Sequence, residues 1–137
     1  MGQVVHDGPL GFAAIDAFPL YDVCCYAGEY VPAQGLFMYV ILDVTNVSNR
    51  PQTFVADYQR LVDRNGRIYH PDLRTMSLTA GKYKRRFADL NPGSTARALL
   101  LFDVPDGTKE TDYRLSLHSS VNPSTASVHL TRGAQAR

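Results

Sequence analysis

Between Leu36 and Asn46 the chain keeps a strict two-residue rhythm, and this constrains its fold more than any other feature. Leu36, Met38, Val40, Leu42 and Val44 fall on one side of an extended backbone, while Phe37, Tyr39, Ile41, Asp43 and Thr45 fall on the other. A helix would scatter the first set around its circumference; a strand gathers it into one apolar face. The rhythm returns after Gly93 in Ala96, Ala98, Leu100, Phe102 and Val104, set against Thr95, Arg97 and Asp103, with Leu99 and Leu101 marking the outer side as partly covered. Tyr113, Leu115 and Leu117 alternate with Arg114, Ser116 and His118, and Ala126, Val128 and Leu130 alternate with Ser127, His129 and Thr131. These two segments predict a closing pair of strands, each with one wet face.

Turn residues separate the β-type runs. Asp63-Arg64-Asn65-Gly66 stands between Gln52–Asp63 and Arg67–Tyr69 and supplies the positive backbone angles of a tight hairpin. Asn49-Arg50-Pro51, Asn91-Pro92-Gly93, Pro105-Asp106-Gly107 and Asn122-Pro123-Ser124 punctuate the rest. Leu10–Phe18 and Tyr21–Tyr26 are rich in β-formers without clean alternation, so a bulge or kink is expected near Pro19. Pro71–Asp89 is the one long connection, suited to a crossing between sheets and to a short helical turn at Thr75–Thr79. A chain of 137 residues can bury one core. The expectation is an all-β protein, an immunoglobulin-like β-sandwich of about seven to eight antiparallel strands. It forms a single domain over residues 1–137, with an ordered core over about 9–131.

Charge narrows the choice of partners. Fourteen Lys and Arg face thirteen Asp and Glu, so the whole molecule has no field that would select nucleic acid, and none is expected as a partner. No apolar run is long enough to cross a bilayer, and the first twenty residues lack the charged start and apolar middle of a secretory signal. A membrane tether, where there is one, is expected outside this chain. Cys24 and Cys25 are adjacent and cannot staple distant segments. They read as two thiols alternating across a strand, with an intermolecular bridge or a redox role as the other readings.

An ordered set of elements carries a family resemblance. It comprises Gly35 to Asn46 followed by Ser48 and Pro51, then Gln52-Thr53-Phe54, Leu61-Val62-Asp63, Asn65-Gly66-Arg67 and Tyr69. Leu90-Asn91-Pro92-Gly93 and Leu101-Phe102-Asp103-Val104-Pro105 with Gly107 complete it. Over roughly residues 10–131 this resembles the DUF4352 or telokin-like group of bacterial extracellular domains, whose fold is immunoglobulin-like. The resemblance implies a secreted or envelope-tethered domain, often of unknown function. It also implies a cysteine before the central strand paired with one inside it. Cys24 or Cys25 fits the first place, but the strand holds Phe37 and Met38 and no cysteine, so the family disulfide lacks its second half.

Chemical constellations are sparse. His118 and His129 lie on polar faces of neighbouring strands, and His70-Pro71-Asp72 sets two ligand types close together, but three or four converging ligands are needed for a metal. No metal, cofactor or catalytic residue is expected. Ser94 lacks the frame of a nucleophile elbow and reads as a turn residue. Asn46-Val47-Ser48 fits a glycosylation sequon and reads as a strand end. Two candidate interaction surfaces remain: the apolar second face of the central strand at Phe37, Tyr39 and Ile41, and the basic run Lys82, Tyr83, Lys84, Arg85 and Arg86. For the first, cover by the Pro71–Asp89 segment is the reading placed ahead of contact with another chain. The leading functional expectation is a non-catalytic domain that contacts another protein or itself. A carrier of a small apolar or anionic ligand is the alternative, and a hydrolase or metal-dependent enzyme comes third.

Overall fold

The computed structural model describes residues 2–79, 83 and 86–131. Ten strands follow one another as β1 (Val4–Asp7), β2 (Leu10–Tyr26), β3 (Glu29–Asn46), β4 (Gln52–Val55), β5 (Arg60–Asp63), β6 (Ile68–Tyr69), β7 (Phe87–Leu90), β8 (Thr95–Val104), β9 (Tyr113–Ser116) and β10 (Ser127–His129). One helix, α1 (Leu73–Leu78), lies between β6 and β7. All pairings are antiparallel. One sheet runs β1-β2-β3-β8, the facing one β10-β9-β5-β6, and β4 pairs with β7 in a small third ribbon.

The alternation read from the sequence builds the core. Leu36, Met38, Val40 and Leu42 meet Val104, Phe102, Leu100 and Ala98 in register, and every one of them is at most 3% exposed; Val44, equally buried, faces the partly buried Ala96. Leu61, Leu115, Leu117 and Leu130 close the layer from the second sheet, with Val128 partly buried against it. Phe12 meets Phe54 edge to face at 6.5 Å, and Tyr69 meets Tyr113 at 5.8 Å, arrangements that favour aromatic pairs.

The chain has more strands than the seven or eight expected, and two local causes account for the excess. Val4–Asp7 folds back on β2 across Gly8 and Pro9, so ordered structure begins ahead of residue 9. The run Gln52–Asp63 is also divided: a 3₁₀ turn at Ala56–Tyr58 redirects it from the ribbon into the second sheet. Gln59 anchors this break. It is fully buried, and its amide nitrogen donates to the carbonyls of Val55 at 3.0 Å and His118 at 2.8 Å, while its oxygen accepts from the His118 N–H at 2.8 Å. A side chain thereby continues the β9 ladder where backbone pairing ends.

The long connection does what its length permits. Asp72 caps α1 by accepting from the Thr75 N–H at 3.0 Å and the Thr75 hydroxyl at 2.8 Å. The helix starts two residues earlier than the expected turn and packs against β8. Along the outer edge of β8, Asp72 N–H donates to the Leu101 carbonyl at 2.7 Å and Leu99 N–H donates to the Tyr83 carbonyl at 2.9 Å. An edge that would otherwise be open to another strand is closed by the chain itself.

Candidate functional site

Of the two surfaces singled out in the sequence, the second face of the central strand is largely covered. Phe37 is 1% exposed, so it offers nothing to a partner; Tyr39 and Ile41 are half-buried. Tyr39 stacks on Phe18 with ring centroids 5.2 Å apart, and burial raises its phenol above the ordinary value. Leu101 lies opposite Tyr39 in register and is itself buried, on the strand against which α1 packs. In the basic run, Lys82, Lys84 and Arg85 lie outside the described residues. Tyr83 is half-buried. Arg86 holds Asp57 through its Nε at 2.8 and 3.0 Å and lies over the Phe87 ring at 5.5 Å. The Arg86 hydrogen bonds outweigh burial and keep the Asp57 carboxyl below its usual range.

The polar motifs resolve into structure. His129 pairs with Arg114 in register, and His118 lies four positions beyond Arg114 along the chain, which puts the two histidines on the order of 13 Å apart. His118 is held at Ser116 Oγ, 2.9 Å, and at the Asn122 carbonyl, 3.1 Å. Among the described residues no group of three His, Cys, Asp or Glu is placed to hold a metal. Asn46 of the sequon is fully buried. Its amide donates to Arg50 at 2.7 Å and Leu90 at 3.0 Å, and its oxygen accepts from Ser48. The Ser94 N–H donates to the Asn91 carbonyl, as a turn residue does. Asp7 ties the first hairpin to the β9–β10 loop through the Ser119 N–H at 2.6 Å and hydroxyl at 3.0 Å. Burial alone would raise its carboxyl, but these bonds, with Ser124 and the charge of His118, hold it low.

What the sequence did not single out is the end of the β2–β3 hairpin. β1 leaves β2 at Ala13, and β8 leaves β3 at Leu36, yet β2 and β3 stay paired as far as Tyr26 and Glu29. Seven residues of β3 therefore extend beyond the sheet, an arm of about 20 Å. Ala27 and Gly28 turn it with φ of 52° and 82°, the two positive angles of a tight hairpin turn. Cys24 and Cys25 lie side by side within the arm, with their sulfurs against one another.

The root of the arm is fixed. Asp103 accepts from the N–H groups of Gln34 at 2.8 Å and Gly35 at 3.0 Å. Gly35 admits no side chain, because a Cβ there would overlap the Val104 carbonyl oxygen. Beyond this root the arm buries Val23, packs Val31 and Ala33 against the core and exposes its tyrosines: Tyr21 is 66% exposed, Tyr26 55% and Tyr30 64%. Between the arm and α1 lies an open cleft of ≈ 490 Å³, whose walls include Tyr26, Val31, His70, Asp72, Arg74 and Asp103. The two acids there are already engaged by their own chain, Asp72 as the helix cap and Asp103 as the arm's clamp. A signal for the arm was present in the Tyr-Ala-Gly-Glu-Tyr sequence of residues 26–30, a turn pair flanked by strand formers.

Comparison with known proteins adds family and fold. The family model described as a domain of unknown function, DUF4352, matches residues 1–128. Among solved structures, the yjhA protein of Bacillus subtilis superposes with a TM-score of 0.64 at 14% identity, covering 84% of this chain and 78% of that one. A conserved hypothetical protein of Bacillus anthracis gives 0.61 at 17% identity, covering 84% of each. An uncharacterized β-sandwich protein of Clostridium difficile gives 0.52 at 16% identity, covering 85% and 83%. No curated protein matches the chain.

Proposed function

The chain belongs to the DUF4352 family, a domain of unknown function, and from that premise we propose a non-catalytic docking domain that works outside the cytoplasm and contacts a partner protein through the β2–β3 arm. One observation carries the reading. Three tyrosines, Tyr21, Tyr26 and Tyr30, are more than half exposed on a segment that leaves the sheet. The core is complete without them. Tyrosine supplies large contact area with little conformational entropy to lose, which is why it is enriched where proteins meet. A rigid root favours the same reading, since Asp103 and the close approach at Gly35 hold the arm in place before any partner arrives. The extracellular address rests on the family resemblance.

Site-specific photo-crosslinking in the native host tests this. A benzophenone side chain at Tyr26 or Tyr30 is expected to yield a discrete protein adduct, while the same group at Val121, exposed on the β9–β10 loop, yields none. Equal adducts from all three positions, or adducts only from Val121, would remove the arm as the docking element.

A further inference from the structure

We infer that the segment received by the arm is cationic: an extended, Lys- or Arg-bearing stretch of a partner protein. This deepens the docking reading and rests on it. All fourteen Lys and Arg of the chain lie at or after Arg50. The first 49 residues supply β1 and the whole β2–β3 hairpin; they contain Asp7, Asp16, Asp22, Glu29 and Asp43 and no Lys or Arg. With a net charge of only +1 overall, the molecule is polarised, and the hairpin is its acidic part.

The chemistry at the arm matches that polarity. Asp22 sits beside Tyr21 in sequence, and Glu29 faces Tyr26 in register; all four are exposed. A carboxylate next to a tyrosine ring attracts an ammonium or guanidinium twice, through its charge and through the ring quadrupole. In the cleft below, Asp72 and Asp103 each accept two hydrogen bonds from the chain. A carboxylate has about four lone-pair sites, so both keep capacity for a guanidinium donor. Among the described residues, Arg74, on the helix wall, is the single Lys or Arg lining this cleft, with His70 alongside. An anionic occupant such as a nucleic acid or an acidic lipid surface would meet four carboxylates and be repelled.

An extended segment fits because β2 is the sole strand neighbour of Glu29–Ala33 among the described residues, β8 having stopped at Leu36. The outer backbone edge there can take another strand.

The test is NMR titration of the ¹⁵N-labelled full chain with a nine-residue peptide of alternating Arg and Ser at low salt. Shifts are expected to concentrate on residues 20–34 and the α1 wall. The affinity should weaken at least fivefold in the Asp22→Asn/Glu29→Gln double variant and in the Tyr26→Ser/Tyr30→Ser double variant, both of which alter exposed side chains only. It should weaken further when salt is raised. Absent shifts, shifts spread over other acidic surface, or undiminished affinity in both variants would overturn the inference. So would stronger binding to an Asp-Ser peptide or to phosphatidylglycerol vesicles. Arm-specific crosslinks in cells without binding of the Arg-Ser peptide would leave the docking reading standing and remove only its charge.

Discussion

Replacing Gln59 by Ala removes the one side chain that bridges the break between β4 and β5 and the end of β9. Three hydrogen bonds disappear, and the Val55 carbonyl and both backbone groups of His118 lose their partner. An unsatisfied buried polar group costs about 1–3 kcal/mol. Water entering the space left by the amide can recover part of that, and the lost methylene adds about 0.8 kcal/mol. A net loss of about 3–4 kcal/mol follows, against roughly 7–20 kcal/mol for a domain of this length. The melting temperature should fall by about 10–15 °C. Urea unfolding at pH 7 reads the loss directly as a lower midpoint with an unchanged slope. Gln59→Glu sharpens the test. Its carboxylate would face the carbonyls of Val55 and His118, so burial and these acceptors raise its pKa in the folded state. A raised folded pKa means that stability is fully present below the unfolded value of about 4.3 and is lost as pH rises through the folded value. This variant should therefore gain stability on mild acidification, from pH 7 towards 5. A cost under about 1 kcal/mol for Gln59→Ala, or a Gln59→Glu variant indifferent to pH over that range, would refute the view that this amide holds the break together.

Other consequences are direct. Asn46→Ala strips four hydrogen bonds from the end of β3 and should cost about 2–4 kcal/mol in urea unfolding; a change within 0.5 kcal/mol (about the size of a neutral surface substitution) would count against Asn46 as a structural knot. Gly35→Ala should lower the melting temperature by several degrees, because its new methyl group meets the Val104 carbonyl; an unchanged melting curve would show that the arm's root can give way. Asp7 and Asp57 both have lowered pKa values in the fold. Their contribution is present above the unfolded carboxyl value of about 3.9 and drains away as pH falls through the folded values. Asp7→Asn should therefore reduce stability at pH 7 and flatten its decline below pH 4, and an unaltered acid slope would contradict this. Tyr26→Ser/Tyr30→Ser should leave stability within about 0.5 kcal/mol of the parent, since neither ring belongs to the core; a larger loss would mean that the arm supports the fold.

The β-sandwich was legible because alternation is a direct imprint of a half-buried sheet: Leu36–Val44, Ala98–Val104 and Tyr113–Leu117 each bury the predicted side. The Asp63–Gly66 turn was equally plain, its Gly66 at φ 81° and its Asp63 receiving Asn65 and Arg67 N–H. Breaks and covers were harder to read, because they depend on partners remote in sequence. Gln59 looks like any polar residue until His118, fifty-nine positions away, comes to it. Leu99 and Leu101 marked the outer side of β8 as partly covered, and the Pro71–Asp89 segment stood as a cover for Phe37, but only the fold shows α1 packing on β8. The arm was obscured by its own irregularity. Register shifts between Ala14 and Asp16, Leu20 and Asp22, and Val23 and Tyr26 erase the period of two, so β2 read as two fragments with a kink near Pro19. How far a hairpin outruns its neighbours depends on where β1 and β8 stop, and nothing local to residues 20–34 encodes that.

The arm can be trimmed without disturbing its pairing. Val23 and Val31 face one another in register, so replacing Cys24–Tyr30 by Asn-Gly closes a two-residue hairpin at that point and keeps Val23 in the core. Photo-crosslinking of this shortened chain, with the benzophenone at Tyr21, compared with the full-length chain carrying it at the same position, is the most direct measurement. The account predicts a folded domain whose protein adduct is gone. A trimmed domain that folds and still captures the same partner in equal yield would contradict it.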